Sequence, residues 1–307
     1  MATGAALWGM IGIFVTYLYE IGFTPTQVVA IRAMSAMFFL LMFVLIKNPQ
    51  SLKINISDSK YFIGTGIFSI VLFNWCLFHA IQETSISIAS ILLYTAPAFV
   101  TIFSRVLFKE LLTPRKILSL ITTLIGCSYV IGILPNSNES ITLYRVMLGL
   151  GSGVFYALYS IFGKFALVKY DTLTVTVYTF IFAAAAVTPF SGLWTVLPLF
   201  RSLEVWLYIL GLGFLSTMLA FTLYTKGLNF IVSSRASIIA TIESVVATIV
   251  GILLFNEKLS FWQYFGILLV ILAVFIVQET TKEFTKKRVT QSKEHPLPES
   301  PSFIINF

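Results

Sequence analysis

Apolar residues along this chain form long runs that are separated by short polar connections. Ten runs approach the roughly 20 residues that a helix needs to cross the hydrocarbon core of a bilayer. They lack the period-two alternation of membrane β-barrel strands. The pattern therefore predicts an all-α integral membrane protein with ten transmembrane helices. These predicted spans, numbered one to ten, are 3–19, 27–46, 61–81, 88–107, 117–134, 141–163, 172–190, 204–225, 236–255 and 262–279.

The composition agrees with a membrane protein and excludes several other classes. Of the 307 residues, 58% are hydrophobic and 11% are charged, whereas a soluble domain carries about 25% charged residues. The net charge of +7 comes from basic residues scattered between apolar runs, which does not indicate a nucleic-acid partner. Cys76 and Cys127 both lie within apolar runs, so neither a disulfide nor a metal site is indicated, and no cofactor motif is present.

Lys and Arg residues are distributed unequally between the two sides of the predicted membrane. Fifteen fall in the connections and tail on the N-terminal side, and the opposite connections hold only Arg201 and Lys258. Positively charged connections stay on the cytoplasmic side. We therefore expect a multi-pass protein of the cell membrane with both termini in the cytoplasm, and residues 280–307 as a basic, disordered tail.

The chain repeats itself with an offset of 147 residues. Between residues 87–112 and 234–259, ten of 26 aligned positions are identical. This predicts two five-helix repeats, residues 1–134 and 141–279. Because five is odd, the second repeat enters the membrane from the opposite side. Inverted repeats are typical of alternating-access carriers, whose substrate site lies near the bilayer midplane. Duplication for stability alone is the alternative.

Several short motifs occur in order along these spans. They are LWG at 7–9, AIRAMSA at 30–36, FKEL at 108–111, YTKGL at 224–228 and FNEKL at 255–259. With the ten-span layout, they make the chain resemble the EamA type of the drug/metabolite transporter superfamily. The resemblance implies two inverted repeats around a central cavity that moves small metabolites, often amino acids and frequently outward. In that family a Glu of span nine is commonly followed by Pro, whereas Ser244 follows Glu243 here.

Two charged residues lie inside predicted spans and are the leading site candidates. Glu243 lies about 12 Å into span nine at 1.5 Å per residue. A charge at the centre of a helix costs about 2.5–3.5 kcal/mol on insertion, so we expect Glu243 to face a cavity or another helix. It would bind a substrate amine or exchange a proton, unless it is a structural glutamate. Arg32 in span two would pair with Glu243 or a substrate carboxylate, unless it reaches the membrane interface.

Other polar and aromatic residues inside the spans are predicted to line the substrate pathway. Packing or lipid contact is the alternative for each of them. They are Trp8, Asn74, Trp75, Tyr94, Tyr159, Ser237 and Thr241. Glu110 and Glu257 occupy equivalent helix ends in the two repeats, and we expect them to join helices four to five and nine to ten.

The function that this pattern favours is secondary transport of a small organic metabolite, with export of amino acids or related compounds as the leading case. A carrier of phosphorylated sugars or nucleotide sugars is an alternative, but it would need several buried cations. A non-transporting membrane partner protein is another alternative. An enzyme is not expected, because the chain has neither a zinc helix motif nor a nucleophile with its base. The expected partners are a small-molecule substrate and the lipid bilayer. A proton as co-substrate and the oligomeric state stay open.

Overall fold

The computed structural model describes residues 1–83, 86–130, 142–255 and 260–278, and this part of the chain is built of helices. The first half contains α1 Ala2–Gly9, α2 Ile11–Ile21, α3 Pro25–Lys47, α4 Ser59–Ile63, α5 Leu72–Glu83, α6 Ile86–Leu93, α7 Ala96–Phe108 and α8 Pro114–Val130. The second half contains α9 Leu143–Ala166, α10 Thr172–Val187, α11 Leu203–Leu210, α12 Ala220–Phe230, α13 Ser233–Ala240, α14 Ile242–Phe255 and α15 Phe261–Gln278.

The described residues include seven helical stretches that are long and apolar enough to cross a membrane. They cover predicted spans one, two, three, six, seven, eight and nine. Their ranges are Ala2–Ile21, Pro25–Lys47, Ile56–Ala80, Leu143–Ala166, Thr172–Phe190, Leu203–Phe230 and Ser233–Leu254. Shorter helices lie at predicted spans four, five and ten. The protein is therefore an all-α, multi-pass membrane protein.

Several spans that the hydrophobic pattern predicts as single helices are interrupted. Span one changes direction at Met10, between α1 and α2, and span four is broken between α6 and α7. Span nine is broken at Thr241, between α13 and α14. Spans three and eight each contain a wider π-helical stretch, at Gly64–Val71 and Gly211–Leu219. Such stretches occur frequently at functional sites.

Equivalent positions of the two halves begin helices with side-chain caps. Thr24 precedes α3, accepts a hydrogen bond from the backbone N–H of Gln27 and receives the side chain of Gln27 on its own backbone N–H. Asp171, 147 residues later, precedes α10 and accepts from the N–H of Thr174 at 2.7 Å and from the Ser51 hydroxyl at 2.7 Å. Burial raises the pKa of Asp171, but these hydrogen bonds outweigh it, and the pKa is lowered from its usual value. Asp171 therefore holds the connection after α3 against the start of α10.

The helices pack around a central space that both halves of the chain line. α1 packs against α14 and α12 of the second half, and α9 packs against α5, α6 and α7 of the first half. α8 and α15 pack together at one side of the bundle. The outer surface is apolar: Phe38, for example, is 57% exposed and Phe275 is 63% exposed. This surface suits contact with lipid tails.

Some sequence predictions concern residues outside the described part of the chain. They include the role of Glu257, the position of Lys258, the end of the first predicted repeat at 131–134, and the tail 280–307.

Candidate functional site

A cavity of about 530 Å³, including its opening, lies at the centre of the bundle. Its walls come from α1, α3, α5, α9, α12 and α14 and from the first π-helical stretch. Six charged or polar lining residues define its chemistry: Arg32, Ser69, Asn74, Tyr159, Ser160 and Glu243. Such a cavity, mostly apolar with a few polar groups, is typical of small-molecule binding sites.

Glu243 reaches this cavity because span nine is interrupted immediately before it. α13 ends at Ala240, and α14 begins at Ile242, so Glu243 lies in the first turn of the new helix. A carboxylate in the first turn is favoured by the positive end of the helix dipole. The Tyr156 hydroxyl donates a hydrogen bond to Oε2 of Glu243 at 3.4 Å. The predicted acid therefore faces the interior of the bundle instead of lipid.

Arg32 extends from α3 toward the same cavity. Its Nε donates to the Thr217 hydroxyl at 3.0 Å, and Thr217 in turn donates to the carbonyl of Leu212 within the second π-helical stretch. The guanidinium carbon lies 5.6 Å from the centre of the Phe221 ring, a distance at which cation–π attraction operates. These contacts orient the side chain inward, so the prediction that Arg32 reaches the membrane interface is wrong.

Aromatic side chains make up much of the cavity wall. The Trp8 ring centre lies 4.8 Å from that of Phe221, 4.8 Å from that of Tyr224 and 6.4 Å from that of Tyr156. Trp8 is only 5% exposed, and its indole Nε1 has no hydrogen-bond partner within the described residues. Buried indole N–H groups usually have a partner, so Trp8 presents an unused donor at the cavity wall.

A set of hydrogen bonds joins α9 to α12 on the side of the cavity that faces the predicted cytoplasm. Tyr159 bonds Thr225 at 2.6 Å, and the Ser160 hydroxyl bonds the Tyr224 hydroxyl at 2.7 Å. One turn further along α9, Lys164 donates to the carbonyls of Leu228 and Ile231 at 2.7 and 2.9 Å. These contacts hold the two helices together below the cavity.

The structure brings some predicted site residues into the cavity and places others elsewhere. Trp8, Arg32, Asn74, Tyr159 and Glu243 line it. Asn74 is buried, and its amide donates to the carbonyl of Ile70 at 2.6 Å.

Trp75 does not line the central cavity, contrary to the prediction. It is 52% exposed on the outside of the bundle and packs against His79. Neighbouring residues of a helix with 3.6 residues per turn point about 100° apart. Asn74 and Trp75 therefore face different sides.

Tyr94, Ser237 and Thr241 line a second, smaller cavity of about 280 Å³. Glu243 and Tyr156 also border it, so these two residues stand between the two cavities. The three side chains thus approach Glu243 from the side away from Arg32.

Glu110 forms a buried cluster at the end of α7. Its Oε1 accepts from the backbone N–H of Ser233, its Oε2 accepts from the Ser234 hydroxyl at 2.5 Å, and Lys116 of α8 lies 3.4 Å away. The contact with Lys116 joins predicted helices four and five. The contacts with Ser233 and Ser234 are additional, since they cap the start of α13 in the other half.

Sequence reasoning missed Phe221 and Tyr224 as cavity residues. Tyr224 belongs to the YTKGL motif, which marked the resemblance to the family but was not interpreted as a site. Phe221 precedes it by three residues and therefore shares its face of α12.

Comparisons with known proteins agree with this architecture. The model of the EamA-like transporter family matches residues 1–132 and 143–278. An uncharacterised transporter of Archaeoglobus fulgidus is 30% identical over 197 residues, which are 64% of this chain and 68% of that protein. A second uncharacterised transporter of the same organism is 29% identical over 286 residues, 90% of this chain and 96% of that protein. The uncharacterised transporter YyaM of Bacillus subtilis is 27% identical over 268 residues, 83% of this chain and 85% of that protein.

A solved crystal structure has the same fold. It superposes with a TM-score of 0.75 at 17% sequence identity and covers 92% of this chain and 96% of its own. At this identity the likeness concerns the fold alone.

Proposed function

This chain belongs to the EamA-like transporter family, and on that premise we propose that it is a secondary carrier that moves a small organic metabolite by alternating access. Its relatives are described only as uncharacterised transporters, so the substrate is inferred from the cavity. The observation that carries the proposal is the presence of one cationic and one anionic side chain, Arg32 and Glu243, in a single aromatic-walled cavity.

The substrate class that fits this cavity is an amino acid or a related zwitterion. Glu243 would bind the ammonium group and Arg32 the carboxylate, while the rings around Trp8 contact the apolar part. A phosphorylated sugar is less suitable, because its phosphate would meet a single cation and a carboxylate in the cavity. Charged residues within membrane spans commonly mark substrate pathways.

The alternating-access mechanism rests on the proposed architecture of ten spans in two inverted repeats, residues 1–134 and 141–279. The two separate ranges matched by the family model support this division. The hydrogen bonds from α9 to α12 would close the cytoplasmic side, which leaves the cavity accessible from the opposite side. With both termini in the cytoplasm of a cell bearing this protein in its plasma or inner membrane, the direction of transport would be export.

A flux experiment with a matched pair of variants tests this proposal. Wild type, Glu243→Gln and Glu20→Gln are reconstituted in liposomes and assayed against a panel of amino acids and sugar phosphates. Glu20 is exposed at the end of α2 and serves as the control. Charge-assisted hydrogen bonds contribute about 1.5–3 kcal/mol, so we expect Glu243→Gln to slow amino-acid flux by about ten- to a hundredfold. Equal flux through wild type and Glu243→Gln, or flux of sugar phosphates alone, contradicts the proposed substrate site.

A further inference from the structure

The second cavity lies where two helices are interrupted. Leu93 and Ala240, the last residues of α6 and α13, both line it, as does Ala96 at the start of α7. Interrupted helices leave backbone groups without their usual partners inside a membrane protein. In carriers, such breaks commonly provide the ligands for coupling ions.

The side chains around this cavity favour a cation over an anion. Glu243 supplies a carboxylate, and no Lys, Arg or His is among the described lining residues. Ser237 and Thr241 donate their hydroxyl hydrogens to the carbonyls of Ser234 and Ile238, at 3.0 and 2.6 Å. The oxygen lone pairs of both hydroxyls remain available as acceptors. Oxygen atoms of this kind are the ligands that hard cations prefer.

The charge and the size of the cavity restrict the cation further. One carboxylate balances one positive charge. No cluster of three or more metal-ligating His, Cys, Asp or Glu side chains occurs within the described residues, so a divalent ion is not favoured. The cavity measures about 280 Å³, roughly half the volume of the central cavity with its opening. A monovalent cation fits this combination better than an organic substrate does.

Building on the proposed carrier function, we propose that the second cavity binds a monovalent coupling cation, Na⁺ or H⁺, and that Glu243 is shared between this cation and the substrate. From the central cavity Glu243 meets the ammonium group of the substrate. From the second cavity it meets the cation, either as Na⁺ held by oxygen atoms or as a proton that forms an O–H bond on the carboxylate. Each ligand neutralises the charge that the other requires, which couples transport of the substrate to movement of the cation in the opposite direction.

The titratable groups around Glu243 are compatible with this sharing. Those that interact with it electrostatically come from five different parts of the bundle: Arg32 of α3, Tyr94 between α6 and α7, Cys127 of α8, Tyr156 of α9 and Tyr224 of α12. Only Arg32 among them carries a charge at neutral pH in its ordinary state, and it belongs to the central cavity. The carboxylate is therefore the single acidic centre that a cation meets from the second cavity within the described residues.

The test measures cation binding without any transported solute. Melting temperatures of the purified protein are recorded against NaCl, with choline chloride holding the ionic strength constant, and separately against pH in choline chloride. A ligand that binds the folded state alone raises stability by RT ln(1 + [L]/Kd). We expect a saturable response to Na⁺ or to pH in the wild type. Glu243→Gln should lose that response, and Glu243→Asp, which keeps the carboxylate, should retain it with a shifted midpoint.

Variants of the two cavities locate the site. Tyr94→Phe and Thr241→Val remove one hydroxyl each with little change of shape, and the loss of about 1 kcal/mol should shift the midpoint about fivefold. Tyr224→Phe removes a hydroxyl from the central cavity and should leave the midpoint unchanged. Variants are compared only when they elute as monodisperse protein, and Ser237→Ala replaces any that does not.

The outcomes separate the two proposals. A wild type without a Glu243-dependent response to either cation overturns the coupling site, as does a midpoint that Tyr94→Phe and Thr241→Val leave unmoved. Solute flux without any cation response would leave the carrier function standing. A cation response without flux of any solute would instead contradict the carrier function while supporting the site.

Discussion

At the scale of single residues, Arg32 and Glu243 carry opposite charges in one cavity without forming a close ion pair. The ion pairs found within 4.0 Å among the described residues do not include them. Arg32 is held by Thr217 and Glu243 by Tyr156. Both charges therefore remain available to a ligand, whereas a direct pair would have to be broken before a substrate bound.

The separation of the two charges predicts how Arg32 contributes to substrate choice. In Arg32→Gln, flux of an amino acid should fall by about ten- to a hundredfold, because a charge-assisted bond of about 1.5–3 kcal/mol to the carboxylate is lost. Flux of the matching amine, which lacks the carboxylate, should change little. Paired flux measurements in liposomes compare the two solutes, with Arg201→Gln in an exposed connection as the control. An equal loss for both solutes would assign Arg32 a structural role.

The residues that sequence reasoning placed correctly and incorrectly differ in a simple physical way. Glu243 and Arg32 were predictable, because the cost of a charge in lipid directs it inward. Asn74 and Trp75 were not separable, since the direction of each side chain depends on the rotation of α5 against its neighbours. The apolar pattern of that region, with exposed Phe68 and buried Ile70, gives only a weak indication of that rotation in a membrane, where the outside of the bundle is also apolar.

At the scale of helices, the positions of the apolar runs were predictable, but their interruptions were not. Each of the ten runs contains helical residues in the described part of the chain, because crossing a membrane requires a long apolar sequence. The breaks at Met10 and Thr241 carry no proline or glycine. Only Pro97 signalled a break, the one between α6 and α7, since proline removes a helical hydrogen bond. The second cavity depends on these breaks, so it was not predictable.

A close approach of two helices positions Trp8 and Glu243, and it predicts different effects for two glycines of span one. A Cβ atom on Gly9 would lie 2.6 Å from the carbonyl oxygen of Glu243, whereas one on Gly12 would meet nothing within 4 Å. Overpacking typically costs about 1–3 kcal/mol, so Gly9→Ala should lower the melting temperature of the purified protein. Gly12→Ala should leave it unchanged or raise it slightly, because alanine is the better helix former. Equal melting temperatures for both variants would contradict this packing.

At the scale of the whole molecule, features of the structure recur at the offset seen in the sequence. The π-helical stretches begin at Gly64 and Gly211, and the capping residues are Thr24 and Asp171. In each pair the second residue lies 147 positions after the first. α6 and α13 obey the same relation at both ends. Local backbone irregularities of this kind have no reason to recur at one spacing unless both halves share one fold, which supports the proposed repeats.

The inverted orientation of those repeats makes a prediction about two equivalent residues. Ser57 and Glu204 are 147 positions apart, are both exposed, and lie at the starts of the stretches Ile56–Ala80 and Leu203–Phe230. Because an odd number of spans would separate equivalent positions, Ser57 should face the cytoplasm and Glu204 the outside. Ser57→Cys and Glu204→Cys are made after Cys76 and Cys127, both buried, are replaced by serine. A membrane-impermeant maleimide should label Glu204→Cys on intact cells and Ser57→Cys only after permeabilisation. The protein with no cysteine gives the background, and labelling of both positions from the same side would exclude an inverted arrangement.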